Sequence, residues 1–165
     1  MARSAWLACL LLAACSAPPG EAPVDPARES SRAAEVLDRL HALASAADEE
    51  RYFALFARDG VFLGTDATER WTVEEFRAYA HPHFAQGKGW TYTVKSRNLA
   101  IDPSGAWAWF DELLENAKLG TCRGTGALRR EPGGWKIVQY DLTIPIPNLL
   151  AEEVAAQVRA HAQQR

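Results

Sequence analysis

The chain has few of the features that mark nucleic-acid, metal or membrane-spanning proteins. It has only three cysteines in 165 residues, and its Lys and Arg residues are spread along the sequence. Nucleic-acid binding needs clustered positive charge that displaces counterions, so a net charge of −3 argues against it. No run approaches the ~20 apolar residues of a membrane-spanning helix, and there are no internal repeats. These limits leave one ordinary domain with short ends.

The N-terminus has the pattern of an export signal. Arg3 is followed by an apolar stretch at residues 5–13, which ends in Leu12-Ala13-Ala14-Cys15. This resembles a bacterial lipoprotein lipobox, which implies cleavage after residues 1–14 and lipid attachment to Cys15. Ser16 follows the cysteine, and by resemblance to the enterobacterial sorting rule it favours the outer membrane, facing the periplasm. An ordinary secretory signal with an incidental cysteine is the alternative.

The next segment is predicted to link the lipid to the folded domain. Residues 15–30 contain four prolines and a glycine but few large apolar side chains, which is typical of a flexible tether. With Cys9 in the signal and Cys15 acylated, Cys122 has no intrachain partner. We interpret it as a small buried strand residue, since a catalytic thiol would need a nearby histidine base.

Three helices are predicted before the main strands. Ser31 is placed as the cap of the first, whose apolar residues follow a 3.6-residue period. A short second helix is predicted from Asp48 to Gly60. The third has the clearest start, because Thr72 and Glu75 have the spacing of a capping box. A C-terminal helix is predicted over residues 149–165.

One strand is predicted to be apolar on both faces. In residues 106–114, Trp107, Trp109 and Leu113 alternate with a second apolar set. That second set is Ala106, Ala108, Phe110 and Leu114. An antiparallel strand buried on both sides needs a second cover. We therefore predict a homodimer through the outer face of the sheet.

The last hairpin is predicted to end at the opening of a cavity. Residues 132–134 read Pro-Gly-Gly, a turn between two runs of strand length. Strict alternation places Trp135, Ile137 and Asp141 on one face of the second strand, with Tyr140 on the other. The first face changes from apolar to polar along the strand, as expected where a strand runs from a core to a cavity.

The order of these motifs resembles a known superfamily. The motifs are Phe56-Ala-Arg-Asp-Gly-Val-Phe62, the Trp71–Phe76 helix start, Ala108-Trp-Phe-Asp-Glu112, Arg123-Gly-Thr-Gly126 and Trp135-Lys-Ile-Val-Gln-Tyr140. Over residues 31–148 the chain resembles a SnoaL-like domain of the nuclear transport factor 2-like (cystatin-like) superfamily. The resemblance implies an α+β fold in which a curved, mostly antiparallel sheet wraps around N-terminal helices into a cone. It also implies an open pocket and usually a dimer.

The resemblance does not extend to the catalytic residues of the ketosteroid isomerases, which are relatives in the same superfamily. The tyrosine donor of those relatives has no counterpart in residues 28–47. The position of their aspartate base falls near Gly64, and that of their acidic donor falls at Gly126 or Ala127. All three roles are empty, although Asp66 has the strand parity of a displaced base.

Seven residues are predicted to line the pocket. They are Asp66, Trp90, Trp109, Asp111, Arg123, Tyr140 and Asp141. Asp66 is a base or, with greater weight, a loop residue in an Asx-turn. Asp111 shares a strand face with Trp109 and is preferred over Glu112, which is assigned to the outer or dimer face. Arg123 either clamps an anionic ligand or neutralises Asp111.

Three functions remain open at this point. The first is an envelope lipoprotein whose pocket binds a small, partly apolar molecule. The second is a cofactor-free acid–base enzyme that uses Asp66 or Asp111 as base and Arg123 or Tyr140 as donor. The third is a dimeric interaction module. No cofactor is expected, and no metal, because His81 and His83 lack a third ligand. An open pocket whose carboxylates are all ion-paired would favour the first function.

Overall fold

The computed structural model describes residues 25–164. The predicted signal peptide, the acylated Cys15 and most of the predicted tether lie outside this range. Four α-helices, one 3-10 turn and six strands follow in order. They are α1 Pro26–Ser45, α2 Glu49–Phe53, β1 Phe56–Leu63, β2 Arg70–Thr72, α3 Val73–Phe84, β3 Thr93–Ile101, β4 Trp107–Asn116, β5 Gly120–Glu131, β6 Gly134–Thr143, the turn Asn148–Leu150, and α4 Ala151–Ala162.

The six strands form one sheet in the order β2-β1-β6-β5-β4-β3. Only β1 and β6 are parallel, and every other neighbouring pair is antiparallel. Helices cover one face of this curved sheet, which is called the inner face below. The predicted α+β fold, a mostly antiparallel sheet around N-terminal helices, is therefore confirmed.

The first helix starts six residues before the predicted position. Asp25, not Ser31, is the N-cap, and its carboxylate accepts hydrogen bonds from the backbone N–H groups of Ala27 and Arg28. Pro26 occupies the first helical position, where its missing N–H costs nothing. Residues 26–30 therefore belong to the domain and not to the tether. The proline that was taken as a sign of flexibility is part of a helix start.

The other predicted helix boundaries agree with the structure in some places and differ from it in others. Thr72 and Glu75 form the predicted capping box, with each side chain bonded to the other residue's backbone N–H. Asp48 caps α2 as predicted, but α2 ends at Phe53, and Gly60 lies within β1. The pattern of the last helix predicts Asn148 as its N-cap, and this was wrong, since Asn148 starts a 3-10 turn and α4 has no side-chain cap.

A bulge in β6 changes which of its residues face the helices. Leu128 pairs with Ile137 and Ala127 pairs with Gln139, so Val138 is an extra residue in β6. Trp135 and Ile137 are buried before the bulge, and Tyr140 and Leu142 are buried after it. Strict alternation across this point was wrong. Tyr140 shares the inner face with Trp135, and Asp141 points to the outer face.

Strand β4 also has the opposite orientation from the prediction. Ala108, Phe110, Glu112 and Leu114 are buried on the inner face. Trp107 and Trp109 lie on the outer face, with 43% and 54% of their surfaces exposed. Small side chains such as Ala108 allow the helix layer to approach β4 closely, while the bulky indoles remain outside.

Candidate functional site

The centre of the site is a buried carboxylate on β4. Glu112 is only 2% exposed, and its carboxylate accepts hydrogen bonds from residues on three elements, α1, β3 and β6. Its Oε1 accepts hydrogen bonds from His41 Nε2 and from the Tyr140 hydroxyl, both at 2.8 Å. Its Oε2 accepts from Arg97 Nε at 2.7 Å. These three donors satisfy both oxygens of a charge that would otherwise be costly to bury.

The network holds Glu112 in its ionised form. Burial raises the pKa of the Glu112 carboxyl, but the hydrogen bonds and charges of His41 and Arg97 outweigh burial and keep the pKa below its usual value. Burial and the nearby Glu112 charge raise the pKa of the Tyr140 phenol well above its usual value. The pair therefore consists of an anionic acceptor and a protonated hydroxyl donor.

The carboxylate also fixes the orientation of the histidine. An ionised carboxylate only accepts, so the proton between the two groups belongs to His41 Nε2. When the ring is neutral, its Nδ1 is an acceptor. Arg97 Nη1 also donates to Asp38 Oδ1 at 2.7 Å and to the Ala34 carbonyl. The carboxylates of Glu112 and Asp38 therefore balance the charge of Arg97.

An open pocket lies above this network. We call it the aromatic pocket, and its volume is about 210 Å³. Its lining contains Phe62, Gly64, Thr65, Glu69, Trp71, Phe76, Tyr79, Trp90, Tyr92, Leu119 and Leu142. A smaller cavity of about 20 Å³ reaches His41 and Tyr140 and shares Phe62, Trp90 and Tyr92 with the aromatic pocket. The ring of Phe62 stacks on Tyr140 with centroids 5.7 Å apart.

A larger groove of about 630 Å³ lies elsewhere, between α1 and the β5–β6 turn. It is lined by Arg32, Trp135 and their neighbours and shares no residue with the aromatic pocket or with the Glu112 network. This groove also contains a buried carboxylate, Glu29, which accepts a hydrogen bond from Trp135 Nε1 at 2.9 Å. The aromatic pocket adjoins the larger network of Glu112, His41, Arg97 and Tyr140, so that pocket is the better candidate site.

Two of the seven predicted pocket residues lie on the inner side. Trp90 lines the aromatic pocket, and Tyr140 lines the small cavity beneath it. Asp66 is an exposed loop residue whose Oδ1 accepts from the backbone and hydroxyl of Thr68 at 2.9 and 2.7 Å. The Asx-turn interpretation of Asp66 is therefore confirmed.

The other four are on the outer face, and their assignment to the pocket was wrong. Trp109 and Arg123 are exposed there. Asp111 accepts from Asn98 Nδ2 at 2.8 Å, not from Arg123 as the alternative had it. Asp141 is half-buried opposite Tyr140, and burial raises its pKa. In both β4 and β6 the predicted alternation was reversed, so Asp111 and Asp141 were assigned to the inner face although they lie on the outer face.

His81 and Cys122 lie outside the site. His81 Nδ1 lies 2.8 Å from Glu49 Oε2 at the surface, and within residues 25–164 no three His, Cys, Asp or Glu side chains form a group that could hold a metal. Cys122 is buried on β5, and burial raises the pKa of its thiol. No helix in the described part of the chain is long and apolar enough to cross a membrane.

The sequence did not lead to the assignment of His41, Arg97 or Glu112 to the site. Glu112 was seen but assigned outward, and His41 was hidden in the polar positions of an amphipathic helix. One local signal was available, because Gly124 faces Glu112 across the β4–β5 pair. A Cβ at Gly124 would overlap the Tyr140 hydroxyl and come within 3.0 Å of Glu112 Cγ. This glycine leaves the room that the network occupies.

We predict that Gly124→Ala disrupts the network. The added methyl must displace Tyr140 or Glu112, which are both buried, so we expect a loss of about 1–3 kcal/mol in the free energy of unfolding. Gly133→Ala is the matched control, because a Cβ at Gly133 meets nothing within 4 Å. Urea unfolding of both variants tests this, and equal stability of the two would contradict it.

The architecture defines the class of this protein as nuclear transport factor 2-like. A family model described as a SnoaL-like domain matches residues 33–147. The chain belongs to this SnoaL-like domain family, which sits within the nuclear transport factor 2-like superfamily. Among curated proteins, none matches the chain in sequence.

Solved structures show the same fold at low sequence identity. An NTF2-like protein of unknown function from Pseudomonas putida is 14% identical, with a TM-score of 0.64 over 74% of this chain and 90% of its own. A protein of unknown function with a cystatin-like fold from Nostoc punctiforme is 17% identical, with a TM-score of 0.56 over 70% and 90%. A protein named as a candidate dehydratase of the NTF2-like family from Streptomyces avermitilis is 13% identical, with a TM-score of 0.62 over 74% and 100%. These TM-scores establish the fold. At such low sequence identity, the function has to be argued from the site.

Proposed function

We propose that this protein is an envelope lipoprotein whose SnoaL-like domain binds a small, partly apolar molecule in the aromatic pocket. The observation that carries the proposal is an open pocket beside a carboxylate that is already saturated. Glu112 accepts from His41, Arg97 and Tyr140, and its pKa is lowered. A group with that pKa is a weak base and has no proton to donate near neutral pH, which suits a structural and orienting role better than catalysis.

The pocket lining supports a ligand with a flat apolar part. Aromatic rings provide most of its large side chains, and such rings pack against flat molecules. Trp71 and Trp90 both line the pocket, so binding changes their environment. The test is a titration of the full chain with small aromatic compounds, followed by tryptophan fluorescence. Leu119→Trp, which adds bulk to the pocket lining, should abolish the binding of these compounds. Because its indole also fluoresces, binding to this variant is measured by calorimetry, and unchanged affinity would contradict the proposal.

The cellular location is the second part of the proposal. The lipobox-like sequence ends at Cys15, and Ser16 follows it, which supports a lipid anchor in the outer membrane facing the periplasm. The domain starts at Asp25, only ten residues later. At ~3.5 Å per residue these residues span at most roughly 35 Å. The pocket would therefore work close to the membrane surface.

We predict that Cys15→Ala releases the protein from membranes. Without the thiol no lipid can be attached, and a single domain of this net charge has no other strong reason to remain there. Cys9→Ala is the control, because Cys9 lies within the predicted signal and should leave anchoring unchanged. Membrane fractionation followed by immunoblotting provides the measurement. Membrane-bound Cys15→Ala would mean that the lipobox interpretation is wrong.

A second function is favoured by one specific contact. The Glu112–His41 pair is a carboxylate-oriented histidine, and both His41 and Tyr140 reach the small cavity. This arrangement supports acid–base chemistry with His41 Nδ1 as base and the Tyr140 hydroxyl as donor. The candidate dehydratase from Streptomyces avermitilis has the same fold. For any compound that binds, turnover that is lost in His41→Asn while binding persists would favour this enzyme over a pure binding protein.

A further inference from the structure

We propose that the aromatic pocket selects organic cations, with Glu69 as the counter-charge. This inference rests on the proposed function and adds the charge of the ligand to it. Six aromatic side chains contribute to the pocket lining, and they are Phe62, Trp71, Phe76, Tyr79, Trp90 and Tyr92. Glu69 is the one charged residue among the lining residues, which include no Lys, Arg or His in the described part of the chain.

The β1–β2 turn holds the Glu69 carboxylate at the pocket. Its Oε2 accepts a hydrogen bond from the Asp66 backbone N–H at 3.1 Å. The backbone N–H of Gly64 bonds to the Glu69 carbonyl at 2.8 Å, which closes the turn. A Cβ at Gly64 would overlap the Glu69 carboxylate, so the missing side chain at Gly64 gives the carboxylate its place.

The carboxylate has no cationic partner within residues 25–164. No Lys, Arg or His nitrogen there lies within 4.0 Å of Glu69, although ten other such contacts are formed. Arg70 follows Glu69 in sequence but is not part of the pocket lining. Glu69 is half-buried, so its charge is less screened than one at the open surface.

The floor of the pocket does not supply a compensating positive charge. Arg97 and His41 are the basic groups of the buried network. Arg97 pairs with Glu112 and Asp38 at 2.7 Å, and His41 pairs with Glu112 at 2.8 Å. Arg123, which was expected to clamp an anion, is on the outer face of the sheet. An anionic ligand would therefore meet an uncompensated carboxylate and no counter-charge.

Aromatic rings and a carboxylate together match the chemistry of an ammonium group. The face of an aromatic ring carries negative electrostatic potential and attracts cations, most strongly for tryptophan. A cleft lined by charge of one sign also raises the local concentration of oppositely charged ligands. The pocket volume of about 210 Å³ limits the ligand to a small molecule, such as an amine that carries one ring.

The test compares three soluble probes of nearly equal size and different charge. These probes are 2-phenylethylamine, 2-phenylethanol and phenylacetate, titrated into the full chain in detergent at neutral pH by calorimetry. We expect the amine to bind roughly 5- to 30-fold tighter than the alcohol, and phenylacetate to bind most weakly. Glu69→Gln should remove the preference for the amine and leave the affinity for the alcohol unchanged. Glu74→Gln is the control, since exposed Glu74 does not line the pocket.

The outcomes separate this inference from the function on which it rests. Equal affinity for amine and alcohol, or a preference that survives Glu69→Gln, would overturn cation selection while the pocket remains a binding site. Binding of none of the three at millimolar concentrations would contradict both proposals. Tighter binding of phenylacetate would show that the pocket selects anions, which is the opposite of the inference.

Discussion

Glu112→Gln is expected to lower the free energy of unfolding by about 3 kcal/mol, because it leaves buried cationic and hydroxyl donors without their anion. His41, Arg97 and Tyr140 all donate to this one carboxylate within 2.8 Å. The amide has nearly the same shape, so the loss reports charge and hydrogen bonding, not packing. A loss of this size is a large part of the stability of an ordinary domain.

The neighbouring residue provides a matched control. Asp111→Asn makes the same chemical change one position earlier on β4, but on the outer face, where the carboxylate accepts from Asn98. We expect a change within about 0.5 kcal/mol there. Urea unfolding of both variants at neutral pH provides the measurement. Similar losses in the two variants, or no loss in Glu112→Gln, would contradict the assignment of Glu112 as the centre of the site.

The same residue predicts the direction of the pH dependence. The pKa of Glu112 is lowered in the folded state, so its contribution to stability is complete above the unfolded value of 4.5. As the pH falls below 4.5, the unfolded state takes up the proton first, and the contribution is lost. We expect the stability of wild type to fall more steeply with acid than that of Glu112→Gln. Parallel curves would contradict the lowered pKa.

Trp109→Ala is expected to weaken a homodimer by roughly 30- to 1,000-fold, which is the effect of removing a hot-spot tryptophan at the centre of an interface. We propose that the outer face of the sheet is that interface. Trp107, Trp109 and Leu113 are all more than one third exposed on this face of β4. Contiguous apolar side chains on a surface mark sites of protein–protein interaction. A second copy would bury these side chains.

The dimer prediction has its own control. Leu149, in the 3-10 turn Asn148–Leu150, is 98% exposed and far in sequence from β4. Leu149→Ala should leave the dimer intact. Sedimentation equilibrium at micromolar concentration would give the dissociation constants. A wild-type monomer would contradict the dimer itself, and a dimer that is lost in Leu149→Ala but kept in Trp109→Ala would place the interface elsewhere.

The fold could be predicted from the sequence because its signals are local and repeated. Two of these signals depend only on neighbouring residues, and they are the capping box at Thr72 and Glu75 and the turn at residues 132–134. The order of the motifs is read directly along the chain. Amino-acid composition alone was misleading at the N-terminus of the domain. Its proline content predicted a tether, but Asp25 and Pro26 together form a helix start. A cap and a first-turn proline outweigh the general tendency of proline to break helices.

The site could not be predicted in the same way, because it depends on which face of each strand is buried. One extra residue at Val138 reverses the pattern of β6, and no local signal distinguishes a bulge from a regular strand there. In β4 both faces are apolar, so hydrophobicity alone could not place Glu112. Arg97 lies directly opposite Glu112 in the β3–β4 pair, so its contact depends on the register of that hairpin. His41 is 71 residues away from Glu112, and only tertiary packing brings these two together.

The most direct test of ligand binding in the aromatic pocket is native mass spectrometry of the full chain, purified gently in mild detergent from its own host. We predict a species that carries a discrete extra mass in wild type and in Leu149→Trp. The extra mass should be absent in Leu119→Trp, where the larger ring enters the pocket lining. An extra mass that persists in Leu119→Trp, or no bound mass in any of the three proteins, would contradict the account.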